Sequence, residues 1–218
     1  LTSASPQTNT WTNMNPTVRP PARFEPAMAH DSENGIVVLF GGSLGTALGD
    51  TWVYNYTTNT WTNMNPSVKP SPREESGMAY DSQSDRIILF GGNLMPGYSA
   101  ETWAYDYNTN TWINMNPSSR PSARTETQMT YDSESDRVII FGGAIPGLYL
   151  DDTWAYDFNT NTWINMNPSV RPLRRTNHAI AYDSESDKVI LFGGWNEQIP
   201  AYLDDTWAYD FNTNTWIN

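Results

Sequence analysis

Residues 124–166 alternate between short runs with an apolar side chain at every second position and short polar clusters. Arg124 opens one alternating stretch, which ends at Tyr131. The polar string Asp132-Ser133-Glu134-Ser135-Asp136 follows, then a β-branched run from Arg137 to Phe141 that stops at Gly142-Gly143. A variable segment leads to Thr153-Trp154-Ala155-Tyr156-Asp157, which again alternates with period two. Asn159-Thr160-Asn161 reads as a turn, and Trp163-Ile164-Asn165-Met166 precedes a proline-rich connection at Pro168 and Pro172. Successive side chains of a strand point to opposite faces, so this pattern predicts four strands, a to d, joined by three turns. No segment carries a 3.6-residue apolar period long enough for a helix.

The unit recurs. Phe-Gly-Gly appears at Phe40, Phe90, Phe141 and Phe192, and Thr-Trp at Trp52, Trp103, Trp154 and Trp207. Asn-Thr-Trp appears with its Trp at Trp11, Trp61, Trp112, Trp163 and Trp216, so only Trp195 of the 10 Trp residues is out of register. Four-stranded units of this length, with a Gly-Gly pair and spaced aromatics, resemble the kelch repeat of β-propellers. The likeness rests on the apolar runs at 36–42, 87–92, 138–143 and 189–194, on Tyr54, Tyr105, Tyr156 and Tyr209, and on the strand-d Trp. It implies a single all-β propeller domain over 1–218, with blades at about 25–64, 75–115, 126–166 and 177–217. Residues 9–14 match strand d and predict an extra N-terminal outer strand. Five d strands against four of each other kind leave three readings: part of a six- or seven-bladed ring, a four-bladed ring with a loose strand, or an edge that pairs with another chain.

Charge narrows the partners. Twelve Lys and Arg against 24 Asp and Glu give a net charge of -12, which disfavours nucleic acid and anionic membrane surfaces. No apolar run approaches the roughly 18 residues of a membrane helix, so no membrane insertion is expected. The absence of Cys removes disulfides, zinc–cysteine sites and thiol nucleophiles. With only His30 and His178, it also excludes a copper centre like that of galactose-oxidase-type propellers. The sialidase and plant-specifier patterns of other propellers are not matched either. A Cys-free, Lys-poor, acidic repeat with near-identical copies suits an extracellular or cell-surface protein of a prokaryote, with the cytoplasm as the alternative.

Two sets of residues are candidates for chemistry. At the start of strand a, Arg23, Arg73, Arg124 and Arg175 are equivalent; two residues later stand Glu25, Glu75, Glu126 and Asn177, and next to Asn177 is His178. The structural reading pairs these Arg and Glu side chains with one another; the functional reading is an inner rim of carboxylates facing an axial ligand or cation. The b–c loops add Tyr98, Tyr149, Trp195 and Tyr202, either as loop packing or as exposed rings for a protein or glycan partner. The Asp-Ser-Glu-Ser-Asp turns at 132–136 and 183–187 could offer oxygens to Ca²⁺ but lack the Gly and distal Glu of an EF-hand loop. No nucleophile–base–orienter arrangement is identifiable. The expectation is a non-catalytic, cofactor-free binding module that uses the variable b–c and d–a loop face. The alternatives are a structural subunit joined by strand exchange, through self-association of the unpaired edge, and a propeller hydrolase or lyase acting at the inner rim.

Overall fold

A computed structural model describes residues 10–199 and 201–218. The first sheet holds β1 (Ala27–Asp31), β2 (Ile36–Phe40), β3 (Thr51–Asn55) and β4 (Thr60–Asn63) in sequence order, all antiparallel. The second holds β5 (Gly77–Asp81), β6 (Arg86–Phe90), β7 (Thr102–Asp106) and β8 (Thr111–Asn114). In the third, β9 (Gln128–Asp132), β10 (Arg137–Phe141), β13 (Thr153–Asp157) and β14 (Thr162–Asn165) form the blade, and β11 (Ala144–Ile145) and β12 (Leu148–Tyr149) make a small hairpin in the b–c loop. The fourth repeats this with β15 (Ala179–Asp183), β16 (Lys188–Phe192), β19 (Thr206–Asp210) and β20 (Thr215–Ile217), and a hairpin of β17 (Trp195–Asn196) and β18 (Ala201–Tyr202). The chain is therefore an all-β propeller of kelch-like blades.

The core lies between blades rather than within them. On β6, Ile87 and Leu89 pack with Val38, Phe40 and Val53 of the first blade, while Ile88 and Phe90 pack with Val138, Ile140 and Trp163 of the third. Both faces of β6 are thus covered, which explains why this strand b is a nearly continuous apolar run. Each junction repeats one aromatic contact: Phe40 meets Trp112 at 5.3 Å, Phe90 meets Trp163 at 5.1 Å, and Phe141 meets Trp216 at 5.3 Å. The same indoles donate to Thr51, Thr102 and Thr153 of the preceding blade. Main chain joins too, with Gly42, Gly92 and Gly143 donating to the carbonyls of Arg73, Arg124 and Arg175. That approach is close: a Cβ on Gly91, at φ +74, would lie 2.7 Å from the Arg124 carbonyl.

Strand a lines the axis, with β1 beside β5, β5 beside β9 and β9 beside β15. Among the described residues β15 has no comparable packing on β1. The outward side of the fourth blade is bare: Phe192, the counterpart of Phe40, Phe90 and Phe141, is 52% exposed where those three are at most 1%. The expected extra strand at 9–14 is corrected in its described part, since residues 10–14 adopt no strand and Trp11 is fully exposed. A strand d needs a strand c to pair with, as Trp61 pairs with Tyr54, and none adjoins residues 10–14 among the described residues. The end of the segment keeps its place nonetheless: the Met14 carbonyl accepts from Asn59 Nδ2 at 2.7 Å, just as Met64, Met115 and Met166 accept from Asn110, Asn161 and Asn214. Asn9 lies outside the described residues.

Candidate functional site at the loop rim

Four bridges put the d–a and b–c loops on one face: Phe24 with Ser43, Glu74 with Asn93, Thr125 with Ala144, and Thr176 with Trp195. The residue after each bridge, Glu25, Glu75, Glu126 or Asn177, has φ between 52 and 55°. A left-handed backbone at a non-glycine residue is strained and persists only where the surroundings impose it. Here successive loops impose it, because Glu75 N–H donates to the Glu25 carbonyl and Glu126 N–H to the Glu75 carbonyl, each at 3.1 Å. The four side chains collect around the mouth of the axial channel, a cavity of about 110 Å³ whose lining also includes Ser76 and Gln128.

This turn corrects the expected pairing of arginine with the glutamate two residues on. The left-handed residue breaks the alternation that would put both side chains on one side. Arg23, Arg73, Arg124 and Arg175 instead run inward and bind Asp50, Glu101, Asp152 and Asp205, the acids just before each Thr-Trp, at 2.5–2.6 Å. Each guanidinium also donates to the carbonyl of Gly41, Gly91, Gly142 or Gly193. The same carboxylates accept the indole N–H of Trp52, Trp103, Trp154 and Trp207. Against the upward pull of burial, hydrogen bonds from Arg23 and Trp52 hold Asp50 below the usual carboxylate range. These arginines brace the b–c loop of their own blade.

The rim carboxylates are left without arginine. Glu126 accepts from Asn177 Nδ2 at 2.8 Å, and Glu75 from the Thr125 hydroxyl. Burial pushes the Glu75 carboxyl up to about 7; the Thr125 hydrogen bond opposes this, and the charges of Glu25 and Glu126 add to it. Glu74, which the repeat pattern did not single out, joins them: one oxygen from each of Glu25, Glu74 and Glu75 lies within 4.8 Å of the others. Its counterparts are Phe24, Thr125 and Thr176, so no period marks it. His178 is not at the surface. It is 2% exposed, packs edge-on to Phe141 at 5.7 Å, and is held down to about 3 by burial, with Arg175 adding to the shift.

The loop aromatics divide. Tyr98 and Tyr149 are half-buried, whereas Tyr202 is 86% exposed and packs against Trp195 with ring centroids 4.8 Å apart and planes tilted by 59° across the β17–β18 hairpin. Beside this pair, a groove of about 500 Å³ runs past Asn177 and Leu203 to the bare Phe192. The opposite face carries the Asp-Ser-x-Ser-Asp turns, whose oxygens serve the turns themselves: Asp132 Oδ1 accepts the Glu134 and Ser135 N–H groups, and Asp136 accepts the Tyr131 hydroxyl. That end of the channel, a cavity of about 670 Å³, is lined by strand-a residues such as His30, Tyr80, Tyr131 and Tyr182.

Comparison with known proteins agrees with the architecture. Over 81 residues the chain is 32% identical to Kelch domain-containing protein 10 of Xenopus tropicalis, covering 35% of this chain and 19% of that protein. Over 89 residues it is 33% identical to Host cell factor 1 of Homo sapiens, covering 39% of this chain and 4% of that protein. Mei4-dependent protein 6 of Schizosaccharomyces pombe is 26% identical over 101 residues, 44% of this chain and 14% of that protein. The chain thus spans less than a fifth of each relative's length. The family model described as the KLHDC2/KLHL20/DRC7 Kelch-repeats domain matches residues 1–169 and 117–218. Together with four blades of the expected topology, that match makes the chain a member of the kelch-repeat family.

Proposed function

We propose that this chain is a non-catalytic protein-binding module whose partner docks on the face formed by the d–a and b–c loops. The observation that carries the reading is the Trp195–Tyr202 pair. It sits where the fourth blade departs from the repeat, is paired across a hairpin with Trp195 half-buried and Tyr202 in solvent, and lies beside a groove with apolar Phe192 and Leu203 in its wall. Paired rings of this kind supply large contact area at little cost in side-chain entropy and recur as interface anchors. A peptide-display selection run beside a glycan array tests it. Peptides selected on the wild type should lose at least about tenfold in affinity with Trp195→Ala or Tyr202→Ala, as interface anchors do. They should be unaffected by Glu134→Ala on the opposite face. Binding confined to the glycan array, or lost only with Glu134→Ala, would overturn the reading.

A second reading, assembly through the blade edge, is favoured by the bare side of the fourth blade. Among the described residues Phe192 lacks the neighbouring indole that its three counterparts have, and Thr206 is exposed where Thr51, Thr102 and Thr153 are fully buried. The surface matches what a further blade with a strand-d Trp would cover. Concentration-dependent mass in analytical ultracentrifugation, abolished by Phe192→Glu, is the result this reading expects; a single monomeric species at all concentrations would contradict it.

A further inference from the structure

Glu25, Glu74 and Glu75 meet at the junction of the first two blades without a positive charge between them. The neighbouring cations are engaged elsewhere, Arg23 with Asp50 and Arg73 with Glu101. Glu74 is 5% exposed; its Oε1 accepts from Asn93 Nδ2 at 3.0 Å, while its Oε2 is buried with no hydrogen-bond partner among the described residues. A buried carboxylate oxygen left without a donor is unfavourable and is normally satisfied by a proton, a water or a metal ion. The surrounding backbone fixes the arrangement: Glu74 is bridged to Asn93, and the left-handed Glu75 donates its N–H to the carbonyl of the left-handed Glu25. The cluster also breaks the repeat. At the next junction the positions equivalent to Glu74 and Glu75 hold Thr125 and Glu126, and at the last they hold Thr176 and Asn177. Only between blades one and two do three carboxylates converge among the described residues.

We propose that Glu25, Glu74 and Glu75 form a binding site for a hard divalent cation, with Ca²⁺ the ion that fits best. All three ligands are carboxylate oxygens, with no imidazole or thiolate among them, which favours Ca²⁺ over the transition metals. Oxygens within 4.8 Å of one another fit around an ion with bonds of about 2.4 Å. Three protein groups fall short of the roughly six to eight oxygens Ca²⁺ takes, so waters complete the shell on the side of the exposed Glu25. Mg²⁺, which demands a tighter octahedron, is the poorer match. The ion ties the first blade to the second at the channel mouth, and the site stands whether or not the loop face binds a protein.

Calorimetric titration of the chelator-treated chain with CaCl₂ and with MgCl₂, paired with thermal melting, tests the site. One saturable Ca²⁺ site is expected, with weaker Mg²⁺ binding and a melting temperature that rises with Ca²⁺ concentration, because an ion held only by the folded state stabilises it. Glu74→Gln should weaken Ca²⁺ at least about tenfold, as loss of a charged ligand does. Glu25→Gln, at an exposed side chain whose hydrogen bond to Glu75 N–H is made by its main-chain carbonyl, should weaken it too, and Glu134→Gln on the far face should not. No heat and no melting shift at millimolar Ca²⁺ would overturn the proposal. So would unchanged binding in both Glu74→Gln and Glu25→Gln, or binding lost only when Asp132 and Asp183 are changed to Asn.

Discussion

At the scale of the residue, identical letters in the repeat do different work according to what stands next to them. Trp163 is 2% exposed, wedged between Phe90 and Tyr156, and its indole N–H reaches Thr102. Trp61 occupies the same register but, among the described residues, pairs with the single ring of Tyr54 and is half-buried. Trp163→Ala should therefore cost about 3–5 kcal/mol and Trp61→Ala less than half of that, read by urea denaturation. Equal losses would show that the interblade wedge is not what stabilises these rings. His178 gives a residue-scale prediction in pH. Its folded-state pKa is depressed to about 3, so below the ordinary His value of about 6.5 the unfolded chain binds a proton that the folded chain refuses. The stability contributed by keeping this imidazole neutral is complete above pH 6.5 and is lost as pH falls toward 3. Relative to His178→Thr, the residue type that blade three carries at Thr127, the wild type should lose roughly 3 kcal/mol between pH 6.5 and 4. Parallel pH profiles for the two proteins would contradict that assignment. The register of the arginines was legible in the sequence, but their partners were not, because 27 to 30 residues and a variable loop separate Arg from acid. Glu74 was invisible for the opposite reason: it occurs once, in a position where a period is silent.

At the scale of the element, the turns carry more of the assembly than their polar composition suggests. Asn161 sits in the c–d turn at φ 52, accepts the Tyr156 hydroxyl at 2.8 Å, and donates to the Met115 carbonyl of the preceding blade at 2.7 Å. One side chain thus caps its own turn and latches the neighbour. Asn161→Ala should cost about 2–3 kcal/mol, from two lost hydrogen bonds and the left-handed backbone. Asn161→Gly should recover about 1 kcal/mol of that by relieving the backbone alone. If Ala and Gly were equally damaging in thermal melts, the backbone contribution would be absent. Strand identity was readable from alternation and the bounds fall close, as with Arg137–Phe141. Residues 10–14 were misread because their letters are those of strand d, and letters alone do not say whether a strand c lies alongside. The β17–β18 hairpin escaped because two-residue strands leave too few positions for a period.

At the scale of the whole molecule, each blade face is stabilised by what packs on it, and among the described residues Phe192 has far less cover than Phe40, Phe90 or Phe141. Phe141→Ala should cost about 3–5 kcal/mol because Trp216 and His178 close over it. Phe192→Ala, at a half-exposed ring, should change the melting temperature by no more than about 2 °C, as surface substitutions do. A large loss at Phe192 in dilute monomer would mean that the outward face is covered in solution. The layout of faces follows from up-and-down topology alone, which is why the loop face was foreseeable as the variable one. Which side chains stay in solvent there was not foreseeable, since Tyr98, Tyr149 and Tyr202 share a register and of the three Tyr202 alone is exposed.

The central claim, that the molecule engages a partner through the d–a and b–c loop face, is tested most directly by hydrogen–deuterium exchange on the chain with and without a selected peptide ligand. Protection is predicted in the b–c loop around Trp195 and Tyr202 and at the rim positions Glu126 and Asn177, with the turns at 132–136 and 183–187 unchanged. Protection confined to those turns, with the Trp195–Tyr202 hairpin exchanging as in the free chain, would contradict the account.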